Sequence, residues 1–125
     1  MQTIGLFMFF EAGAFIAAAL THFGLLVDGF EHLKAGIAES VIAFVLLIGL
    51  ALTWIAPRIR RRIGVAAQTF ALLGTLVGIF TIAIGIGPRT APDIAYHIGI
   101  VVVLVFGLTV AMRARPTTEA STPAG

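Results

Sequence analysis

Four long apolar runs constrain this chain more than any other feature of its sequence. They cover about residues 4–27, 35–56, 63–86 and 94–112. Each run is close to the ~20 residues that a helix needs to cross a hydrocarbon core of ~30 Å. Because backbone amides in hydrocarbon must be hydrogen-bonded internally, uninterrupted runs of this length predict helices rather than barrel strands. The sequence therefore predicts an all-α fold: an integral membrane four-helix bundle with four transmembrane helices and short loops.

The composition supports this fold class. Hydrophobic residues make up 59% of the chain and charged residues only 11%, whereas soluble domains carry roughly 25% charged residues. We expect one transmembrane domain over residues 1–114 and a disordered cytoplasmic tail over residues 115–125, which are rich in Thr, Pro, Ala and Ser. The absence of cysteine excludes disulfides, thiolate metal sites and Cys nucleophiles.

The first apolar run is expected to remain in the protein as a span. The first Lys or Arg of the chain is Lys34, so the basic start of a signal peptide is missing. Glu11 also interrupts the apolar segment. We therefore expect the residues from Thr3 onward to form a retained helix.

The basic residues are distributed unevenly between the two ends of the spans. Two of the eight, Lys34 and Arg89, lie on one side, and six lie on the other: Arg58, Arg60, Arg61, Arg62, Arg113 and Arg115. This difference favours the arginine side as cytoplasmic, with both termini inside and the protein in the plasma (inner) membrane. Arg58, Arg60, Arg61 and Arg62 would act as the topology signal and could also hold anionic lipid. Because these residues abut apolar spans, the lipid bilayer is the expected partner and nucleic acid is not.

Short motifs predict where helices begin and where they pack closely. Asp28 with Glu31, and Thr90 with Asp93, have the spacing of capping boxes ahead of spans two and four. Gly74 and Gly78 form a G-x-x-x-G pair on a face of small residues in span three. Such a face lets helix backbones approach closely in lipid, either inside the bundle or between copies in a homo-oligomer.

A few ionisable residues lie where a membrane span should have none. They are Glu11 and His22 in span one, His32 and Glu39 at span two, and His97 in span four. Such groups are costly in lipid, so they usually face the bundle interior and have partners. The members of each of the first two pairs lie about 20° apart around their helix.

The expected depths place three of these residues in one layer. At ~1.5 Å per residue, His22 and His97 lie about 8 Å, and Glu39 about 10 Å, from the outer ends of their spans. His32 and Glu31 lie above this layer, and Glu11 lies well below it.

The layer predicts a metal or haem site in the outer half of the bundle. Imidazole and carboxylate ligands without thiolate suit Zn, Fe, Mn or Cu(II). Two histidines on different helices could instead ligate a haem iron. The predicted ligands are His22, Glu39 and His97, with His32 as a fourth.

Other functions stay open at this point. Glu11, Glu39 and Glu31 could relay protons or ions, which would indicate a small proton- or cation-coupled transporter or channel. The chain could also be an accessory subunit of a larger membrane complex. An enzyme is less expected, because only short loops lie outside the spans and no catalytic motif is present. A purely structural role is the remaining alternative, in which Gln68, a threonine or a facing histidine satisfies the buried glutamates.

Overall fold

The computed structural model describes residues 2–116, which form a bundle of four long helices. The helices are α1 (Gln2–His22), α2 (Leu33–Ile55), α3 (Arg60–Ala83) and α4 (Ala91–Arg113), and a 3₁₀ turn, Pro57–Ile59, precedes α3. All four are long and apolar enough to cross a membrane. No strand occurs among the described residues, so the predicted fold class is confirmed. The rest of the predicted tail, residues 117–125, lies outside the described residues.

The helices run alternately up and down, because short connections join each to the next. Each packs against its neighbour in sequence, and α4 closes the bundle against α1. One end of the bundle holds His22, His32 and the start of α4, and we call it the histidine end. The other holds the 3₁₀ turn and the end of α4, and we call it the arginine end.

The bundle has an apolar outside and a partly polar inside, as a protein surrounded by lipid requires. Large side chains such as Phe10, Phe44 and Phe106 are more than half exposed on its surface. The buried interior combines apolar side chains with a small set of polar ones: Glu11, His22, Glu39, Thr53, Gln68, Thr75, Asp93 and His97. Because polar groups are costly in hydrocarbon, these buried residues are the candidates for a functional site.

Two helix ends at the histidine end differ from the sequence prediction. Helix α1 ends at His22 rather than near residue 27, since Gly24, with a φ of 71°, turns the chain although the following residues are apolar. The predicted Asp28–Glu31 capping box is wrong. The N-cap of α2 is His32, whose ring accepts a hydrogen bond from the Ala35 backbone N–H.

Glu31 binds within the loop instead of capping α2. Its two carboxylate oxygens accept the Gly29 backbone N–H at 3.1 and 3.0 Å. Hydrogen bonding from this N–H lowers the pKa of Glu31. Since its side chain is exposed, Glu31 is a loop carboxylate.

The second predicted capping box, at the start of α4, is confirmed. The Thr90 side chain accepts from the Asp93 backbone N–H, while the Asp93 carboxylate accepts from the Thr90 backbone N–H at 3.2 Å and from its hydroxyl. This reciprocal pair fixes the position of the Asp93 carboxylate on the first turn of α4.

The glycine pair of α3 packs against neighbouring helices inside the bundle. A Cβ atom at Gly74 would lie 2.9 Å from Ile42 Cδ1 on α2, and one at Gly78 would lie 3.3 Å from His97 Nε2 on α4. Both glycines therefore create room for side chains of other helices. A homo-oligomer formed through span three stays a prediction.

The arginine end joins three helices through backbone carbonyls. Arg61 donates from Nε and Nη2 to the Met112 carbonyl at 3.2 and 3.0 Å, and Arg60 donates from Nε to the Thr53 carbonyl at 3.2 Å. These arginines thereby satisfy carbonyls near the ends of α4 and α2. A cavity of about 260 Å³ lies among the arginines of this end, including Arg58, Arg62 and Arg115. Their predicted part in topology and in lipid binding stays a prediction.

Candidate proton and cation site

His22 connects three helices at the histidine end. Its Nδ1 lies 2.7 Å from Glu39 Oε2 on α2, and its Nε2 lies 3.0 Å from Asp93 Oδ1 on α4. All three side chains are more than nine-tenths buried. We call these three residues the His22 cluster. An imidazole held between two carboxylates in the interior of the bundle is its defining feature.

The local sequence explains how the three side chains meet. His22 is the last residue of α1, Glu39 lies about two turns inside α2, and Asp93 is on the first turn of α4. In an antiparallel bundle the end of α1 is level with the start of α2 and of α4. The His32 backbone N–H also donates to the His22 carbonyl at 2.8 Å, which holds the end of α1 beside the start of α2.

The hydrogen bonds of the His22 cluster determine how many protons it holds. Each contact between a ring nitrogen and a carboxylate oxygen needs one proton, because neither an ionised carboxylate nor a bare ring nitrogen can donate. The two protons make His22 an imidazolium between two carboxylates, or a neutral ring beside one carboxylic acid. Both forms carry a net charge of −1. A shift of one proton along a hydrogen bond converts one form into the other.

Glu39 leaves one acceptor of the cluster unused. Its Oε1 is buried and has no hydrogen-bond partner within residues 2–116. Glu39 also lines a cavity of about 170 Å³ between α2, α3 and α4. This volume is well above the ~15 Å³ that a single water needs. The negative charge of the cluster therefore borders a space where a proton donor or a cation fits.

His97 lies beside the same cavity with one ring nitrogen fixed. Its Nδ1 lies 2.7 Å from the Asp93 backbone carbonyl, which can only accept, so Nδ1 carries a hydrogen. In the neutral ring Nε2 is then an acceptor, and a Cβ atom at Gly78 in the cavity wall would lie 3.3 Å from it.

His32 is occupied by structural hydrogen bonds. Its Nδ1 accepts from the Ala35 backbone N–H at 3.2 Å, and its Nε2 donates to the Ile86 carbonyl at 3.1 Å. The ring is therefore neutral in this arrangement and joins the start of α2 to the loop after α3. Its centroid lies 6.3 Å from that of His22, so it forms part of the wall around the His22 cluster.

A second face of the cluster borders another cavity. A space of about 470 Å³ between α1 and α4 is lined by His22, Asp93 and Tyr96 together with alanines of α1. The Tyr96 hydroxyl is buried and has no partner in the described part of the chain. Its ring contacts Phe15 edge-on, with the centroids 6.2 Å apart. Phe15 is itself buried in the core, seven residues before His22 on α1.

Glu11 forms a separate polar pair deeper in the bundle. Gln68 Nε2 on α3 lies 3.2 and 3.1 Å from the two carboxylate oxygens of Glu11 on α1. Both side chains are almost completely buried. Glu11 is eleven residues before His22, about 16 Å along the helix at ~1.5 Å per residue.

The structure therefore brings some of the sequence-predicted residues together and separates others. His22 and Glu39 are in direct contact, and His32 and His97 lie around them, whereas Glu11 is deeper and Glu31 is in a loop. The sequence predicts only a helix-start role for Asp93, whose contact with His22 appears in the folded bundle. The signal that could have revealed it is the position of Asp93 on the first turn of α4, which an antiparallel bundle places level with the end of α1.

The predicted metal or haem ligands are mostly occupied by other hydrogen bonds. Both ring nitrogens of His22 contact carboxylates, and both of His32 contact backbone atoms. Of the three histidines, only His97 keeps an acceptor nitrogen. Within residues 2–116, no group of three or more His, Cys, Asp or Glu side chains is arranged to hold a metal ion. Metal or haem binding stays a prediction from the sequence, and this arrangement does not favour it.

Comparisons of the chain with protein-family models, with curated proteins and with solved structures found no match.

Proposed function

We propose that this protein is a small membrane protein that conducts protons, in which the His22 cluster binds and releases the proton. The observation that carries the proposal is the His22 ring, which is hydrogen-bonded to Glu39 on α2 and to Asp93 on α4. Histidine exchanges protons near neutral pH more readily than any other side chain. Intramembrane ionisable residues are costly, and they typically mark proton or ion pathways.

The charge of the cluster supports proton uptake. With a net charge of −1 and Glu39 Oε1 unpaired, one further proton makes the cluster neutral. Loss of that proton restores a buried negative charge, which favours uptake of another cation. The His22 cluster can therefore alternate between two charge states without a change in its helix contacts.

Glu11 provides the next proton-binding group along the bundle. It lies on α1 toward the arginine end, and its carboxylate accepts hydrogen bonds from the neutral amide of Gln68. We propose that a proton passes between the His22 cluster and Glu11 when the core around Phe15 opens. In this proposal the histidine end faces outward and the arginine end faces the cytoplasm.

Proton flux into liposomes tests the proposed function. Purified protein is reconstituted into vesicles containing a pH-sensitive dye, and internal acidification is followed under an imposed potential. We expect Glu39→Gln to reduce the protein-dependent flux at least tenfold, because the amide cannot ionise. The amide oxygen of Gln can still accept a hydrogen bond from His22, so the fold is expected to survive.

Glu31→Gln is the matched control, since it makes the same chemical change in the loop outside the His22 cluster. We expect its flux to equal that of the wild-type protein. Circular dichroism and gel filtration in detergent verify that both variants are folded. Wild-type flux through the Glu39→Gln variant, or no protein-dependent flux at all, would overturn the proposal.

A further inference from the structure

We propose that the cavity between α2, α3 and α4 binds a small organic ammonium ion, held by Glu39 and His97. This inference rests on the proposed function and names a second cation that the same site would bind in place of the proton. It is carried by the hydrogen-bonding character of the cavity wall, together with the negative charge of the His22 cluster.

The buried wall of the cavity accepts hydrogen bonds and offers few donors. Glu39 Oε1 has no partner within the described residues, and His97 Nε2 is an acceptor when the ring is neutral. The hydroxyls of Thr75 and Thr81 also line the cavity, but they already donate to the carbonyls of their own helix. An occupant that pairs with Glu39 Oε1 and His97 Nε2 must therefore donate hydrogen bonds.

The apolar part of the cavity wall and the negative charge of the His22 cluster indicate which kind of hydrogen-bond donor fits. Phe15, Ile42 and Val77 supply apolar surface, which suits a short alkyl group. The net charge of −1 on the His22 cluster favours a cationic head over a neutral one. An alkylammonium ion combines N–H donors, a positive charge and an apolar end. A cavity of about 170 Å³ limits it to a small molecule.

Lys34 lines this cavity and is the Lys or Arg side chain in its wall. Its side chain is exposed, and the two ion pairs found among the described residues do not include it. Lys34 would repel an incoming ammonium ion only weakly, because its exposed charge is screened by solvent and salt. We therefore expect Lys34→Gln to leave affinity unchanged or to increase it.

Calorimetric titration of the detergent-solubilised protein with ethylammonium chloride tests the inference. Ethanol serves as the neutral probe of nearly the same shape. We expect ethylammonium to bind at least tenfold more tightly than ethanol, and Glu39→Gln to weaken its binding at least tenfold. Equal affinity for the two probes, or unchanged affinity in Glu39→Gln, would overturn the inference.

Gly78→Ala tests the same cavity without altering any charge. The added methyl group would lie 3.3 Å from His97 Nε2, so we expect it to weaken ethylammonium binding several-fold. Gly99→Ala is its matched control, because nothing lies within 4 Å of a Cβ atom at that position. Equal affinities in these two variants would also contradict the inference.

The two proposals fail in different ways. Titration in detergent requires no gradient and no transport, so it reports the cavity alone. Glu39-dependent proton flux without ethylammonium binding would overturn only the ammonium site. Ethylammonium binding without proton flux would overturn only the proposed transport.

Discussion

Gln68 donates from one amide nitrogen to both carboxylate oxygens of Glu11, joining α3 to α1 in the middle of the bundle. The amide oxygen of Gln68 is buried and has no partner in the described chain. Gly107 on α4 lies opposite the pair, where a Cβ atom would be 2.5 Å from Glu11 Oε1. The pair is therefore enclosed by three helices, which makes its contribution to stability measurable.

The Glu11–Gln68 contact is expected to couple the two residues energetically. Glu11→Ala or Gln68→Ala alone leaves buried polar atoms without a partner, which costs roughly 1–3 kcal/mol. The double variant leaves neither partner stranded, so its loss is expected to be smaller than the sum by about 1 kcal/mol or more. Reversible unfolding in mixed detergent measures all three free energies. Additive losses within about 0.3 kcal/mol would show that the contact contributes nothing.

Gly107→Ala is expected to destabilise the bundle by overpacking. The new methyl group would contact Glu11 and Gln68 and force the side chains apart, at a cost of about 1–3 kcal/mol. Gly99→Ala on the same helix adds the same methyl group where no atom lies within 4 Å. Thermal unfolding in detergent compares the two. A midpoint for Gly107→Ala at or above that of Gly99→Ala would contradict the close packing at this position.

Thr90→Ala is expected to weaken the start of α4 and the His22–Asp93 contact together. The substitution removes the hydroxyl half of the capping box, which costs about 1 kcal/mol. Thr109→Ala removes a hydroxyl that donates to the Val105 carbonyl at 2.7 Å on the exposed face of α4, and it is expected to cost at most about 0.5 kcal/mol. Reversible unfolding in detergent compares the unfolding free energies of the two variants. The NMR resonances of the His22 ring report whether its contact with Asp93 has changed. Unchanged His22 resonances in Thr90→Ala would contradict the expected dependence of the His22–Asp93 contact on the capping box.

The loop carboxylate Glu31 predicts a small pH dependence at the histidine end. The Gly29 backbone N–H stabilises the ionised form and lowers the pKa of Glu31 from its ordinary 4.5. Because the folded-state pKa is the lower one, the stabilisation is complete above the ordinary value and is lost as the pH falls through the lowered pKa. NMR titration of the Glu31 carboxyl carbon should give a midpoint below 4.5, and the Gly29 amide should shift with it. In Glu31→Gln that amide shift should be absent; a midpoint at or above the ordinary value would contradict the hydrogen bond.

Helix ends show where the sequence was informative and where it was not. The Thr90–Asp93 box was predicted correctly because both partners are close in sequence and the motif is local. The end of α1 was not, because Leu25 and Val27 are as apolar as the span before them although they lie in an exposed loop. Hydropathy reflects how favourably side chains transfer from water to an apolar phase. It does not detect a glycine that turns the backbone.

The four spans and the polar residues within them follow from the sequence alone. Chain length, apolar run length and the cost of unpaired amides in lipid leave helices as the solution. Helical periodicity and depth also placed His22 and Glu39 at one level. The partners of these residues were decided only by tertiary structure. The His22 contact to Asp93 spans 71 residues of sequence, and it depends on which helices are neighbours and how each is rotated. The local sequence does not determine which helices are neighbours or how each helix is rotated, because both result from the packing of all four helices around a shared interior.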